Sequence, residues 1–254
     1  YSKMAGHDIN YIGLAGALHA IGDTDQMVPP LNLVGDGGGA MFLVAGVLAD
    51  LHDRERSGGT VVDAAILDGT ASLMGPFYEM LAIGLWEDRR GENLLDGGAP
   101  FYTTYTTRDG GSMAVGALEP GFYAELLRGL ELDDADLPDQ YDRAAWPELR
   151  EVIGARFATR TREDWTAVFD GTDACTTPVL TLREAPGHPH NAEREVFGGR
   201  AEHRLPSASP RFGDDGSLEL GPNVEPGADT VAILEELGLG SDEIASLLVT
   251  GAAK

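Results

Sequence analysis

Apolar residues recur at helical spacing along the first part of the chain, and small residues lie between them. Residues 11–22 (YIGLAGALHAIG) follow this pattern and predict a tightly packed helix. A proline-containing loop (MVPPLNLVGDGGG) comes next. A strongly apolar helix is then predicted over residues 40–56, turning polar only at HDRER and stopping at Ser57-Gly58-Gly59. The segment TVVDAAIL (60–67) starts with β-branched residues and leads into another long apolar helix through residue 86. At residue 97 the period changes from helical to alternating. A threonine- and tyrosine-rich run, the Arg108-Asp109-Gly110-Gly111 turn and SMAVGAL predict a hairpin. Helices are expected near 121–130, 147–158 and 162–170. Beyond TPVLTL lie proline-marked loops, a short polar strand region and an amphipathic pair, ADTVAILEELGL and SDEIASLLVTGA, the second opening on a serine N-cap. No internal repeat is present.

Composition bounds the class. The chain has 254 residues, 43% of them hydrophobic and 24% charged, which describes a globular protein with a substantial core. The closest approach to a membrane span, residues 40–51, is expected to be too short and too interrupted by charge to cross a bilayer. No charged-then-apolar leader stands ahead of Tyr1, and Cys175 is the single cysteine. Secretion and an internal disulfide are therefore not expected, and a cytoplasmic location is. Forty-two acidic side chains against 18 lysines and arginines give a net charge of −24, which disfavours nucleic acid and anionic membrane as partners. Such a surface fits an ordinary acidic enzyme with an arginine-biased composition. It also fits a halophile's surface, kept hydrated by carboxylates in concentrated salt.

Signatures of nucleotide loops and zinc sites are absent. His188-Pro189-His190 has the chemistry of a metal pair but no neighbouring ligands, so no metal site is assigned. Three junctions carry the remaining chemistry. His7 precedes a helix, where a histidine also serves as a cap or packing residue. Asp36 stands in NLVGDGGG ahead of an apolar helix, either as an N-cap in a glycine turn or at a backbone that a ligand approaches closely. Glu119 ends a strand before Pro120, where a turn-facing surface glutamate is the plain reading. A histidine and two carboxylates are the parts needed for proton transfer at carbon, but spacing alone does not bring them together.

On these residues the chain becomes familiar. AGHDINYIGLAGAL, NLVGDGGGAMFL, GGAPFYTTYTTRDGGSMAVGALEPGFYAELLRGL and DACTTPVLTLREAPGHPHNAER, in that order, resemble the α-methylacyl-CoA racemases of the class III CoA-transferase superfamily. The resemblance implies an α/β fold: part of a large α/β CoA-transferase family III domain, plus a smaller α+β domain, in a family of interlocked dimers. It divides the chain into a remainder of the large domain with linker helices (1–96), a small α+β domain (97–185) and a C-terminal segment (186–254) returning to the large domain. It also implies that the family's N-terminal segment, with much of the parallel sheet and many CoA contacts, is missing from this chain.

By the same resemblance His7 and Asp36 are the catalytic pair and Glu119 supports the histidine. Asp8, Tyr11, Asn32, Gly37, Gly38 and Tyr102 fall on positions of the substrate site. The aromatic residue that the family has after the aspartate is here Gly37. The implied reaction racemises 2-methylacyl-CoA through an enolate. One group removes the α-proton from one face while the other returns a proton to the opposite face. Burial of Asp36 and a carboxylate beside His7 would match the two groups, and Asn32 or backbone N–H groups around Gly37 would steady the enolate oxygen. No metal or redox cofactor is implied, because CoA is part of the substrate, and a homodimer is. Met74, Met80 and Met113 stand either on an acyl-binding face or in plain core. The alternatives are a class III CoA transferase with Asp36 as nucleophile, and a truncated, non-catalytic fragment.

Overall fold

The computed structural model describes residues 3–200, 203–213 and 224–254. The chain divides into two compact units, Tyr1–Val179 and Leu180–Lys254.

In the first unit, α1 (Asp8–Leu14) and α2 (Ala17–Ala20) replace the single helix expected over 11–22. The break falls at Gly16, whose φ of 78° is left-handed, and the Tyr78 hydroxyl donates to the Ala15 carbonyl at 3.1 Å there. Residues Leu33–Gly39 form a π-helical segment, and α3 (Met41–Ser57) continues from it. The predicted stop holds. Gly58 takes a φ of 79° and its N–H donates to the Arg54 carbonyl at 2.8 Å. Residues 60–65 are neither helix nor strand. The long helix expected after them is two, α4 (Ile66–Leu73) and α5 (Gly75–Ala82), parted at Met74 with Pro76 at the start of the second.

α3 contains no buried residue, and Leu43, Val44, Leu48 and Leu51 are all exposed. Leu33–Ser57 forms 25 helical residues, within which an 18-residue stretch of mean hydropathy 1.4 is long and apolar enough by length and composition to cross a bilayer. This corrects the expectation that no segment reaches that length. The apolar run of 40–51 is short, but the glycine-rich segment before it is helical too and lengthens the apolar stretch.

From residue 97 onward the chain builds a well-buried core. Strands β1 (Tyr102–Thr106) and β2 (Ser112–Gly116) pair antiparallel from Tyr102 opposite Gly116 to Thr106 opposite Ser112. Gly110, with a φ of 79°, turns the hairpin where the glycine pair predicts it. Helices α6 (Pro120–Gly129), α7 (Trp146–Phe157) and α8 (Arg162–Phe169) follow their predicted spans to within a residue or two. A third strand, β3 (Thr176–Pro178), joins antiparallel to β2. Period-2 positions Met113 and Val115 face the helices, which answer with Leu126, Leu149, Ile153, Phe157, Trp165 and Phe169. α8 opens on a reciprocal cap: Asp164 N–H donates to Thr161 Oγ1, and Thr161 N–H to Asp164 Oδ2, both at 3.1 Å. Thr161→Ala should therefore cost about 1 kcal/mol, read as a lower urea midpoint.

The second unit holds α9 (Pro189–Glu193), the antiparallel pair β4 (Phe197–Arg200) and β5 (His203–Pro206), and helices α10 (Thr230–Glu236) and α11 (Ser241–Thr250). The polar strand region and the closing helix pair lie where the pattern puts them. Among the described residues every paired strand is antiparallel.

Candidate active site

His7 is the N-cap of α1 and is exposed. Its N–H donates to Asn10 Oδ1 at 3.0 Å, and its carbonyl accepts from Asn10 N at 2.9 Å. Tyr11, one turn on, donates its hydroxyl to the Gly6 carbonyl at 2.8 Å. The backbone on both sides of His7 is therefore fixed, while its imidazole is left facing outward. Asp8 is the first residue of the helix and only 2% exposed.

Asp36 lies in the middle of the π segment, so it is neither the cap of α3 nor part of a simple glycine turn. π-helical turns insert an extra residue into a helical path and recur at functional sites. The segment enters through Leu31 and Asn32, whose φ values of 56° and 59° are left-handed. Gly39 and Gly69 of α4 make the packing possible. A Cβ on Gly69 would lie 2.7 Å from the Gly39 carbonyl oxygen and 2.8 Å from its Cα, so the two backbones touch directly.

Asn32 Nδ2 donates to Asp36 Oδ2 at 2.8 Å, orienting the carboxylate with its other oxygen open. Asp36 itself is exposed, so the described residues do not supply the burial expected around it. Gly37 N–H donates to the Asn32 carbonyl at 3.0 Å and is committed within the π segment. What Gly37 contributes is access, since the nearest atom to a Cβ placed there is that same carbonyl oxygen at 3.4 Å. The segment packs on α1 through one further bond: Asp36 N–H donates to Asp8 Oδ1 at 2.8 Å. His7, Asp8, Asn32, Asp36 and Tyr11 thus belong to one junction.

Beside that junction an apolar cavity of about 490 Å³ is lined by Leu33, Val34, Met74, Phe77, Trp86 and Leu95. Met113, by contrast, is fully buried core.

Glu119 and Tyr102 belong to a second cluster. Glu119 precedes α6 and is exposed. The residues before it are pinned by the buried Gln140, whose amide donates to the Leu118 carbonyl at 2.8 Å, and by the Tyr141 hydroxyl at 2.6 Å from the same oxygen. Tyr102 and Cys175 line a cleft of about 540 Å³ along β2. Partial desolvation, then the carboxylates of Glu119 and Asp173, push the Cys175 thiol up, which keeps it protonated and a poor nucleophile at neutral pH. No hydrogen bond or ion pair joins Glu119 or Tyr102 to His7 or Asp36. Among the described residues, no three His, Cys, Asp or Glu side chains gather as a metal-ligand set.

Residues 1–213 match the family model of CoA-transferase family III. The chain belongs to CoA-transferase family III. Two curated relatives are the α-methylacyl-CoA racemases of Mus musculus, 47% identical over 97% of this chain, and of Homo sapiens, 43% identical over the same share. The chain spans 66% of the length of each. A similar solved structure is that of a CaiB/BaiF family protein of Brucella suis, with a TM-score of 0.72 at 20% identity, over 93% of this chain and 64% of that one. The mixed helix-and-sheet architecture is thus the family III fold.

Sequence reasoning missed two partnerships that build this junction. The Asp8 carboxylate reaches a backbone 28 residues away, and Gly39 meets Gly69 across two elements. Both are long-range, and the only local signal was an excess of glycine around Asp36.

Proposed function

We propose that this chain racemises 2-methylacyl-CoA thioesters by exchanging the α-proton between His7 and Asp36. The observation that carries the reading is the bond from Asp36 N–H to Asp8, which ties the histidine-bearing helix terminus to the aspartate-bearing π segment. Similarity to two enzymes named α-methylacyl-CoA racemase supports it.

Neutral His7 takes the α-proton of one enantiomer while protonated Asp36 donates to the opposite face. For the mirror substrate, ionised Asp36 takes the proton and imidazolium His7 returns one. The two starting states hold the same single proton, so each turnover in one direction leaves the site ready for the reverse. Asn32 keeps one carboxylate oxygen of Asp36 occupied and the other free for the proton. The apolar cavity beside Leu33 and Val34 suits a branched hydrocarbon chain. No metal or redox cofactor is required.

The site also needs cover. The exposed leucine and valine face of α3 and the exposure of Asp36 support a homodimer, with a second copy supplying part of the enclosure. Glu119 fits a supporting role for a histidine in such an assembly. Working in the cytoplasm, without nucleic acid or membrane as partner, agrees with the single cysteine and the −24 charge. That charge also supports a salt-adapted surface, so the assay belongs in concentrated as well as dilute salt.

The test is α-deuterium uptake in heavy water from one pure enantiomer of a 2-methylacyl-CoA, with no acceptor acid present. Uptake accompanied by loss of optical purity is expected; its absence at every salt concentration would sink the reading for this chain.

A further inference from the structure

Asp8 is almost wholly buried, at 2% exposure, yet it sits next in sequence to an exposed histidine. A buried carboxylate needs a reason, because removing it from water costs more than a neutral side chain would. Its visible partner is a single backbone donor, the amide of Asp36, at 2.8 Å. That amide itself needs an acceptor. Asp36 lies in the opening turn of the π segment, where N–H groups have no carbonyl of their own helix to donate to. Asp8 fills that vacancy from another element.

The fit around the bond is tight. A Cβ on Gly35 would lie 2.4 Å from Asp8 Oδ1 and 2.9 Å from Ile12 Cγ2, so the carboxylate occupies the space where any side chain at position 35 would begin. Ile12, one turn along α1, is fully buried and closes the other side. The carboxylate therefore has one place to go, and the π segment has one depth at which it docks.

We propose that Asp8 is a positioning residue for the proton-transfer pair: its carboxylate fixes the backbone of Asp36 relative to His7 and so sets the gap in which the α-carbon must sit. The inference rests on the racemase reading for its catalytic consequence, but its structural half stands alone. The path from His7 to Asp36 is one peptide unit, one short side chain and one hydrogen bond. Aspartate is the right length for this path. A glutamate would push the segment outward, and an alanine would leave the amide of Asp36 without an acceptor. What Asp8 contributes is an acceptor oxygen at a fixed point, so an asparagine, with its carbonyl in the same place, should do most of the work.

The experiment compares the full chain with Asp8→Ala and Asp8→Asn, after far-UV circular dichroism has checked the fold of each. Hydrogen exchange of the Asp36 amide, followed by nitrogen-15 NMR, reads the anchoring without any substrate. It should be protected in the wild type and in Asp8→Asn, and should exchange rapidly in Asp8→Ala. Deuterium uptake into 2-methylacyl-CoA reads the consequence. In Asp8→Ala the turnover rate should fall about 10²-fold with KM nearly unchanged, the effect of misplacing a reacting group by roughly 1 Å. Asp8→Asn should restore most of that loss. Equal protection of the Asp36 amide in Asp8→Ala and wild type would overturn the proposal, as would a loss expressed wholly in KM. Should Asp8→Ala not fold, Asp8→Asn decides: loss of Asp36 protection in that folded variant overturns the anchor. A wild-type chain that takes up no deuterium would overturn the racemase reading, while the amide measurement would still decide whether Asp8 holds Asp36.

Discussion

His7→Ala should suppress deuterium uptake from one enantiomer of a 2-methylacyl-CoA while sparing much of the uptake from its mirror image, and Asp36→Ala should do the opposite. The asymmetry follows from geometry. Each enantiomer presents its α-proton to one of the two groups, and exchange with solvent needs only the group that removes it. Removing the base for one hand leaves the base for the other in place. General acid–base catalysis is worth about 10²–10⁴-fold, so the blocked direction should fall by that factor, and the open one by much less. Full inversion needs both groups and should fail in either variant. The measurement is deuterium content by mass spectrometry after incubating each pure enantiomer with each variant.

The same pair of variants separates a transferase from a racemase. A transferase that attacks the thioester with Asp36 has no use for His7, so His7→Ala would leave acyl transfer intact while Asp36→Ala removed it. Wild-type uptake by both variants from both enantiomers would show that neither group carries the proton.

Trp165→Ala should be the most damaging single change to stability, at about 3–5 kcal/mol. Trp165 is fully buried in α8, meets Phe157 edge-on at 5.4 Å, and lies nearly parallel to Phe169 at 5.9 Å. Its indole N–H donates to the Phe157 carbonyl at 2.8 Å, and the Arg160 guanidinium lies 4.7 Å from the ring. Truncation therefore opens a cavity and strands a buried carbonyl together. Trp165→Phe keeps most of the ring and loses chiefly the hydrogen bond, so it should cost about 1–2 kcal/mol. Urea unfolding followed by circular dichroism reads both. A midpoint unmoved by Trp165→Ala would mean that this core does not hold the unit together.

The ordering of these costs follows what the sequence made legible. Where a segment buries one face against its own neighbours, as α6, α7, α8 and the β1–β2 hairpin do, spacing and turn residues give the element and nearly its ends. Elements whose shape depends on distant partners were misread. α1 and α2 look like one helix until Tyr78 reaches the Ala15 carbonyl. The long apolar stretch after residue 66 is a different case, since it divides at Met74 just ahead of Pro76, a local signal that the apolar run outweighed. β3 is three residues long and exists because β2 offers it an edge. At the site, His7, Asp36 and Glu119 were visible as candidates from residue type and position. The junction of the first two became visible only through Asp8. Glu119 lies near Cys175 within this chain, a placement that no local pattern encodes.

The contact between Gly39 and Gly69 has a consequence for how this site can vary. With no side chain between those two backbones, the closeness of the π segment to α4 at this point is set by main chain alone. Exchanges at Leu33, Val34, Met74 and Phe77, which line the apolar cavity, should leave that contact itself in place. On the proposed racemase reading, the wall that meets the acyl chain and the groups that move the proton should then vary separately. A library randomised at those four wall positions, with both glycines retained, tests that separation.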